Sequence, residues 1–223
     1  MKNKVLFCHY GKTGGTFIMD TVRKDLRHSG FQFFQHVGMP FYSEDNLKSI
    51  ANSKSEKIFV HQQHLWISKS ILEYYNERNF FSFMFLRHPV DLICSLFFWG
   101  HRVLRETSKN PFGEHFDLAN MTLNDYFKFI LDGNESGLWI IPEWISSVNY
   151  VSEFSEENAI IFMDKYLGYK PNQNSLAKIN ASGNKGFKFY LKEKTLSLNL
   201  VENLFNHKEI KKYSKYLELG QPV

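Results

Sequence analysis

The sequence predicts an α/β protein, in three layers, in which helices cover both faces of a central parallel sheet. Two observations favour this class. Short, nearly continuous apolar runs alternate along the chain with helical stretches of about ten or more residues, the order expected of βα units. These runs lack the polar alternation of a half-exposed strand, so both of their faces should be covered.

The first half of the chain provides most of the predicted elements. A strand over Lys4–His9 is followed by a helix over Thr16–Leu26, in which apolar residues recur at helical spacing. Two further strands are predicted over Lys57–His61 and Phe80–Leu86. Pro89 then begins a helix, because proline is tolerated in the first helical turn.

The second half is predicted in less detail. The polar stretch Glu106–Asn120 has no clear period and is a candidate mobile loop or lid. Ala159–Met163 is predicted as a fourth buried strand, followed by the loop Asn180–Gly186. Two helices, over Thr195–Phe205 and Lys208–Leu217, complete the chain.

Length and composition limit the class of protein. The 223 residues fit a single domain over 1–223, large enough to bury about 70% of its unfolded surface. A formal net charge of +4 is too small to indicate a nucleic-acid partner, although it suits a small anion. Cys8 and Cys94 stand in apolar runs and are predicted to be reduced core residues. No apolar run is long enough to span a membrane, so a cytoplasmic location is expected.

A candidate phosphate-binding turn lies between the first strand and the first helix, in the stretch His9-Tyr-Gly-Lys-Thr-Gly-Gly-Thr16. Gly14 and Gly15 permit close backbone approach, and N–H groups at a helix N-terminus bind phosphate. Lys12 would add a positive charge, and the two threonines would add hydroxyl donors. An ordinary glycine turn with an exposed lysine is the alternative interpretation.

A second candidate anion site follows the predicted strand Phe80–Leu86. Arg87 comes directly after this strand, and its guanidinium can hold a phosphate through two hydrogen bonds. Ser95 stands two turns into the helix that begins at Pro89. The alternative is structural: an arginine paired with an acid such as Asp91, and a serine buried in the helix.

Taken together, the two stretches resemble the PAPS-dependent sulfotransferase family. The first is similar to its Lys-Thr-Gly-Gly-Thr loop, particularly in the carbohydrate branch that includes heparan sulfate 2-O-sulfotransferase. The second resembles its Arg-x-Pro signature with a later serine. The common NTPase motif is absent, because Lys12 precedes Gly14 and Gly15 instead of following the second glycine. The family usually has proline where this chain has Gly11.

The resemblance implies a P-loop NTPase-like sulfotransferase fold and a role for each matching residue. Arg87 and Ser95 would bind the 3′-phosphate of PAPS. Lys185, in a basic glycine loop, would be a further phosphate contact, with a solvated turn as the alternative. Lys12 would also stabilise the leaving phosphate, and the product would be adenosine 3′,5′-bisphosphate. Six residues would hold the 5′-phosphosulfate end: Gly11, Lys12, Thr13, Gly14, Gly15 and Thr16.

Sulfuryl transfer also requires a base, and a histidine suits this role because imidazole titrates near neutral pH. Val60-His61-Gln-Gln-His64 ends a predicted strand on the same sheet edge as Lys12 and Arg87. It resembles the His-Gly-His stretch of the heparan sulfate 2-O-sulfotransferases, in which histidine is the proposed base. The spacing departs by one residue: His64 matches better, and a structural role is favoured for His61. Three carboxylates are alternative bases: Glu44, Asp45 and Glu73.

The predicted function is transfer of a sulfuryl group from PAPS to a hydroxyl of a small-molecule or glycan acceptor. The resemblance implies a carbohydrate acceptor, with a lipid or a small alcohol as alternatives. No metal is expected, because Arg87 follows the strand where a kinase would carry a magnesium-binding aspartate. A P-loop kinase that uses ATP and magnesium is one alternative. The other alternative is a nucleotide-binding module that lacks activity. The presence of both Lys12 and His64 argues against it, because binding alone requires no base.

Overall fold

Strands and helices alternate through most of the computed structural model, which describes residues 2–36, 43–63, 68–113, 117–132, 143–171 and 187–218. The strands in these ranges are β1 (Lys4–His9), β2 (Gln32–His36), β3 (Ile58–Gln63), β4 (Phe81–Leu86) and β5 (Tyr150–Glu153). The α-helices are α1 (Gly15–His28), α2 (Glu44–Ala51), α3 (Lys69–Asn76), α4 (Pro89–Thr107), α5 (Leu123–Leu131), α6 (Glu156–Phe162), α7 (Phe187–Lys192), α8 (Leu198–Asn206) and α9 (Lys208–Glu218).

The five strands form one parallel sheet in the order β2-β3-β1-β4-β5. β1 pairs with β3 along its length, from Lys4 opposite Ile58 to His9 opposite Gln63, and with β4 on its other side. β3 and then β2 lie on one side of β1, and β4 and then β5 lie on the other, so the order of the sheet reverses at β1. Ligands of open parallel sheets bind at such a reversal, outside the carboxyl ends of the strands. The predicted α/β class is confirmed.

Helices pack on both faces of the sheet. On one face, the aromatic side chains of β1 and β4 form a core with α1 and α6; Phe7 stacks on Phe83 with ring centroids 4.6 Å apart. On the other face, α3 packs against β4. The fully buried Tyr75 of α3 donates a hydrogen bond to the Leu47 carbonyl oxygen of α2 at 2.8 Å. Many of the 22 phenylalanines of the chain, including Phe7 and Phe83, belong to the core on the first face.

One strand prediction is wrong. Ala159–Met163 does not form a strand: residues 159–162 belong to α6, and a π-helical turn, Met163–Leu167, follows. The side chain of Ser155 caps α6 by accepting the Asn158 N–H at 2.9 Å. Ala159 and Phe162 are buried while Ile161 is 51% exposed, which is a helical pattern and not that of a strand covered on both faces. The strand of this region is β5, a few residues earlier.

The remaining predictions of secondary structure agree closely with the structure. β1, β3, β4, α1 and α4 lie where the sequence predicts them, and α8 and α9 match the two predicted C-terminal helices. β2 and β5 were not predicted. None of the helices in the described ranges is long and apolar enough to cross a membrane.

Contacts within the chain group its residues into two compact units. The first, Met1–Leu86, Pro142–Ile179 and Tyr216–Val223, contains the sheet. The second, Arg87–Ile141 and Asn180–Lys215, contains a helical core in which α4 packs against α5 and α7, and α5 packs against α8. The assignment of 1–223 to one domain stays a prediction.

The stretch predicted as a lid, residues 106–120, is partly ordered by local hydrogen bonds. It begins with the last turn of α4, and Ser108, the residue after the helix, has a left-handed conformation. The Asn110 side chain then accepts the Phe112 N–H at 3.0 Å, and Leu118–Asn120 form a 3₁₀ turn. Residues 114–116 lie outside the described ranges. The mobility of this stretch stays a prediction.

Candidate active site

The glycine loop (residues 10–16) joins the end of β1 to the first turn of α1. The first helical hydrogen bond runs from the Ile18 N–H to the Gly14 carbonyl oxygen at 3.0 Å. The N–H groups of Gly15, Thr16 and Phe17 therefore have no partner within the helix. No acidic residue occupies the first turn of α1, so the positive end of the helix dipole is not neutralised locally. This helix start is suited to bind an anion.

Two residues of the glycine loop have left-handed backbone conformations. Lys12 has a φ of 64° and Gly14 a φ of 80°. Glycine adopts such values freely, whereas for lysine they cost about 1 kcal/mol or more. Turns that contain left-handed residues direct neighbouring N–H groups toward one point and make concavities that bind anions. The strained lysine is therefore placed at the part of the loop best suited to a phosphate.

The glycines of the loop differ in what surrounds them. A Cβ atom on Gly14 would overlap the Phe154 ring, and one on Gly15 would overlap the His9 ring. At Gly11 a Cβ would meet no atom within 4 Å. Glycine is therefore required at positions 14 and 15 because the Phe154 and His9 rings pack directly against the loop backbone. The sequence alone did not indicate this reason.

The two threonines of the loop also differ. Thr13 is fully buried, and its hydroxyl donates to the Tyr10 carbonyl oxygen at 2.6 Å, so this hydroxyl stabilises the loop itself. Thr16 is exposed in the first turn of α1. Tyr10 is buried, and burial raises its pKa, so it remains a neutral phenol. Of the two predicted hydroxyl donors, Thr16 is the one that faces solvent.

Below the loop, two histidines form a buried pair. His9 Nδ1 lies 3.0 Å from His61 Nε2, so one imidazole donates a hydrogen bond to the other. Phe7 stacks on both rings, with centroid distances of 5.3 and 5.2 Å. His9 is 6% and His61 3% exposed. This arrangement fits the structural role that the sequence favours for His61, and it assigns His9 a supporting role that the sequence analysis missed.

The Arg87 turn (residues 87–91) connects the end of β4 to α4. The Arg87 N–H donates to the Tyr213 hydroxyl oxygen at 2.9 Å, and the same hydroxyl donates to the Arg87 carbonyl oxygen at 2.7 Å. Tyr213 is fully buried, whereas Arg87 is partly exposed. The backbone of the predicted phosphate-binding arginine is thus fixed on both sides by one tyrosine.

Other contacts hold the rest of the Arg87 turn. The Asp91 carboxylate accepts the Phe187 N–H at 2.8 Å. The His88 ring stacks on Phe187, with centroids 4.7 Å apart, and meets Phe205 edge-on at 5.6 Å. Ser95, further along α4, is 1% exposed. Its predicted contact with the 3′-phosphate stays a prediction.

The three alternative carboxylate bases lie on exposed helix surfaces. Glu44 on α2 lies 3.7 Å from the Lys48 amine, and Glu73 on α3 lies 3.7 Å from the Lys69 amine. Asp45 is exposed in the first turn of α2. Pairs of this kind are common on solvated helices and do not distinguish any of the three as a base.

Two predicted site residues, His64 and Lys185, lie outside the described residues, as does the loop Asn180–Gly186. Their roles stay predictions. Within the ranges that the structure describes, no group of three or more His, Cys, Asp or Glu side chains is arranged to hold a metal ion. The expectation of a metal-free reaction is a prediction as well.

The parallel sheet and the helix that starts shortly after its central strand define an α/β protein, in which this helix start is suited to bind an anion. A family model described as "Sulfotransferase family" matches residues 1–179. The chain therefore belongs to the sulfotransferase family. No curated protein matches it. The match includes the glycine loop and the Arg87 turn and ends before α7, α8 and α9.

Proposed function

We propose that this protein transfers a sulfuryl group from PAPS to a hydroxyl of a small-molecule or glycan acceptor. Membership of the sulfotransferase family supports the reaction class. The observation that carries the choice of an anionic nucleotide donor is the glycine loop. There, the amides of Gly15, Thr16 and Phe17 lack helical partners, and the left-handed Lys12 stands three positions before Gly15.

The residues present fit a bisphosphorylated nucleotide. The glycine loop provides N–H donors, a lysine and the exposed Thr16 hydroxyl for the 5′ end. Arg87 provides a guanidinium directly after β4, the strand next to β1, where the order of the sheet reverses. PAPS, when bound, supplies an activated sulfuryl group attached to a phosphate that leaves as part of adenosine 3′,5′-bisphosphate.

The chain's own residues divide the work of this reaction. Lys12 and the first amides of α1 place positive charge where negative charge develops on the leaving phosphate. Arg87, with Ser95, holds the 3′-phosphate. His64 removes the proton of the acceptor hydroxyl, an assignment that rests on the sequence resemblance. His9 and Phe154 support the glycine loop, because their rings pack against Gly15 and Gly14, and His61 holds the His9 ring through a hydrogen bond.

The donor is tested by calorimetric titration of the protein with adenosine 3′,5′-bisphosphate and, separately, with ATP and magnesium. We expect the bisphosphate to bind without magnesium, and we expect Arg87→Ala to weaken this binding at least tenfold, because it removes a charged phosphate contact. Arg105→Ala, which removes an exposed arginine from the last turn of α4, is the matched control. Preference for ATP with magnesium would instead assign the chain to the kinases.

The role of Lys12 is tested by turnover at saturating PAPS with a panel of small hydroxyl acceptors. We expect Lys12→Ala to lower kcat about 10²- to 10³-fold, the loss that follows removal of one donor to a developing charge. Lys194→Ala is the matched control, because Lys194 is also a lysine in a left-handed conformation, with a φ of 56°. Full turnover in the Lys12 variant would disprove the leaving-group role.

A further inference from the structure

Tyr213 of α9 makes two hydrogen bonds to the Arg87 backbone. Its hydroxyl accepts a hydrogen bond from the Arg87 N–H at 2.9 Å and donates one to the Arg87 carbonyl oxygen at 2.7 Å. The Tyr213 hydroxyl thereby provides a partner for both the N–H and the carbonyl of Arg87, the first residue after β4. Tyr213 is fully buried, so water cannot readily replace these two bonds.

Other residues of the C-terminal segment reach the same turn. Phe187, at the start of α7, donates its N–H to Asp91 and stacks on His88, and Phe205 of α8 contacts the His88 ring. Phe187, Phe205 and Tyr213 all lie beyond residue 179, where the match to the family model ends. Three consecutive helices of this chain therefore contribute to holding the turn that follows β4.

We propose that Tyr213 is a positioning residue that fixes the Arg87 backbone so that the guanidinium is preorganised for the 3′-phosphate of the nucleotide. The backbone torsions of a residue set the direction of its Cα–Cβ bond and limit its side-chain rotamers, and Tyr213 restrains the groups on both sides of the Arg87 Cα. A guanidinium held in its binding geometry loses less conformational entropy when it binds. This inference rests on the proposed function, because that proposal assigns Arg87 to the nucleotide.

The test uses two nucleotides that differ only in the group of interest. Calorimetric titrations with adenosine 3′,5′-bisphosphate and adenosine 5′-phosphate are made on the wild type and on Tyr213→Phe. We expect Tyr213→Phe to weaken the bisphosphate about tenfold and to leave adenosine 5′-phosphate unchanged. Tyr75→Phe is the matched control: it also removes a buried hydroxyl that donates to a backbone carbonyl, that of Leu47, and should change neither affinity.

A double-mutant cycle separates this inference from the proposed function. If Tyr213 acts through Arg87, Tyr213→Phe should cause no further loss of bisphosphate affinity in an Arg87→Ala background. An equal loss in both backgrounds, or an equal loss for both nucleotides, would overturn the positioning role. If Arg87→Ala alone leaves bisphosphate affinity intact, the assignment of Arg87 in the proposed function fails, whatever Tyr213 does.

Hydrogen exchange on the wild type provides a test that does not depend on the folding of a variant. Because coupling between a ligand and a conformation is reciprocal, bound bisphosphate should slow exchange of the Arg87 N–H, which is bonded to Tyr213. Adenosine 5′-phosphate, which lacks the 3′-phosphate, should slow it much less. Equal protection by both nucleotides, or no protection by the bisphosphate, would contradict the proposal.

Discussion

The glycine loop and the Arg87 turn both follow central strands of the sheet, yet they are held in different ways. In the glycine loop, Thr13 bonds to Tyr10, and the His9 ring packs on Gly15. The Phe154 ring, from a distant part of the chain, also packs against this loop. The Arg87 turn depends on partners that lie 126 positions away for Arg87 and 96 positions away for Asp91. A local motif can thus be recognised in the sequence, whereas the support of the second motif appears only in the folded chain.

The largest expected effect concerns the reactivity of two cysteines, one near each region. Cys8 lies in β1, just before the glycine loop, and Cys94 lies in α4, after the Arg87 turn. Burial raises the pKa of both thiols; that of Cys94 rises to about 12, with the Asp91 carboxylate adding to the effect. At pH 8 the reactive thiolate of Cys94 should be roughly a thousandfold rarer than in the unfolded chain.

Alkylation by iodoacetamide, followed for each cysteine by peptide mass spectrometry, measures this effect. We expect both rates in the native protein to be at least about 10³-fold below those in guanidinium. Tyr213→Phe should then raise the rate at Cys94 and not at Cys8, because each cysteine reports the opening of its own surroundings. Equal acceleration at both sites would show that the two regions open together.

A smaller effect is expected from the backbone of the glycine loop. Gly15→Ala should lower the free energy of unfolding by about 2 kcal/mol, because the new Cβ would overlap the His9 ring, which is itself wedged between Phe7 and His61. Gly11→Ala, at a position with open space, should change it by less than about 0.5 kcal/mol. Urea denaturation measures both values, and equal stability of the two variants would refute the proposed packing.

The smallest effect concerns His101 of α4. Burial lowers its pKa below the usual 6.5, and a hydrogen bond to the Met121 backbone acts weakly in the opposite direction. As the pH falls through 6.5, His101 binds a proton in the unfolded chain before it does in the folded chain. Acidification therefore lowers the free energy of unfolding. His101→Gln should remove about 1 °C of the decrease in Tm between pH 7.5 and pH 6, since solvent screens a partly exposed group. If the Tm of the wild type and that of His101→Gln fell equally between pH 7.5 and pH 6, this prediction would be wrong.

The sequence was most informative about the centre of the sheet. β1, β3 and β4 are covered on both faces and therefore appear as apolar runs that can be recognised without the structure. The strands that were not predicted, β2 and β5, are the two edges of the sheet. β2 contains Gln32, Gln35 and His36, and β5 has only four residues, so neither shows a continuous apolar run.

The error at α6 has a related cause. Ala159–Met163 is an apolar run of five residues, and over so short a stretch hydrophobicity alone does not separate a buried strand from the inner part of a helix. Ser155 followed by two glutamates is a helix start signal that would have corrected the prediction.

The site could be predicted in part for similar reasons. The glycine loop carries its signal in consecutive residues. The pairing of His9 with His61 depends on the register of β1 and β3, and no sequence signal indicates that register in advance. The helical pattern of α9 indicates that Tyr213 faces inward, and a buried tyrosine hydroxyl requires a partner. That this partner is the Arg87 backbone follows only from tertiary structure.

The hydrogen bonds of Tyr213 also impose an order on the formation of the protein during translation. At ordinary rates of synthesis, the 126 residues between Arg87 and Tyr213 take roughly 6 to 25 s to make. The hydrogen bond from Thr13 to Tyr10, by contrast, joins residues only three positions apart. The two hydrogen bonds to the Arg87 backbone can therefore form only in a chain that has been synthesised as far as α9.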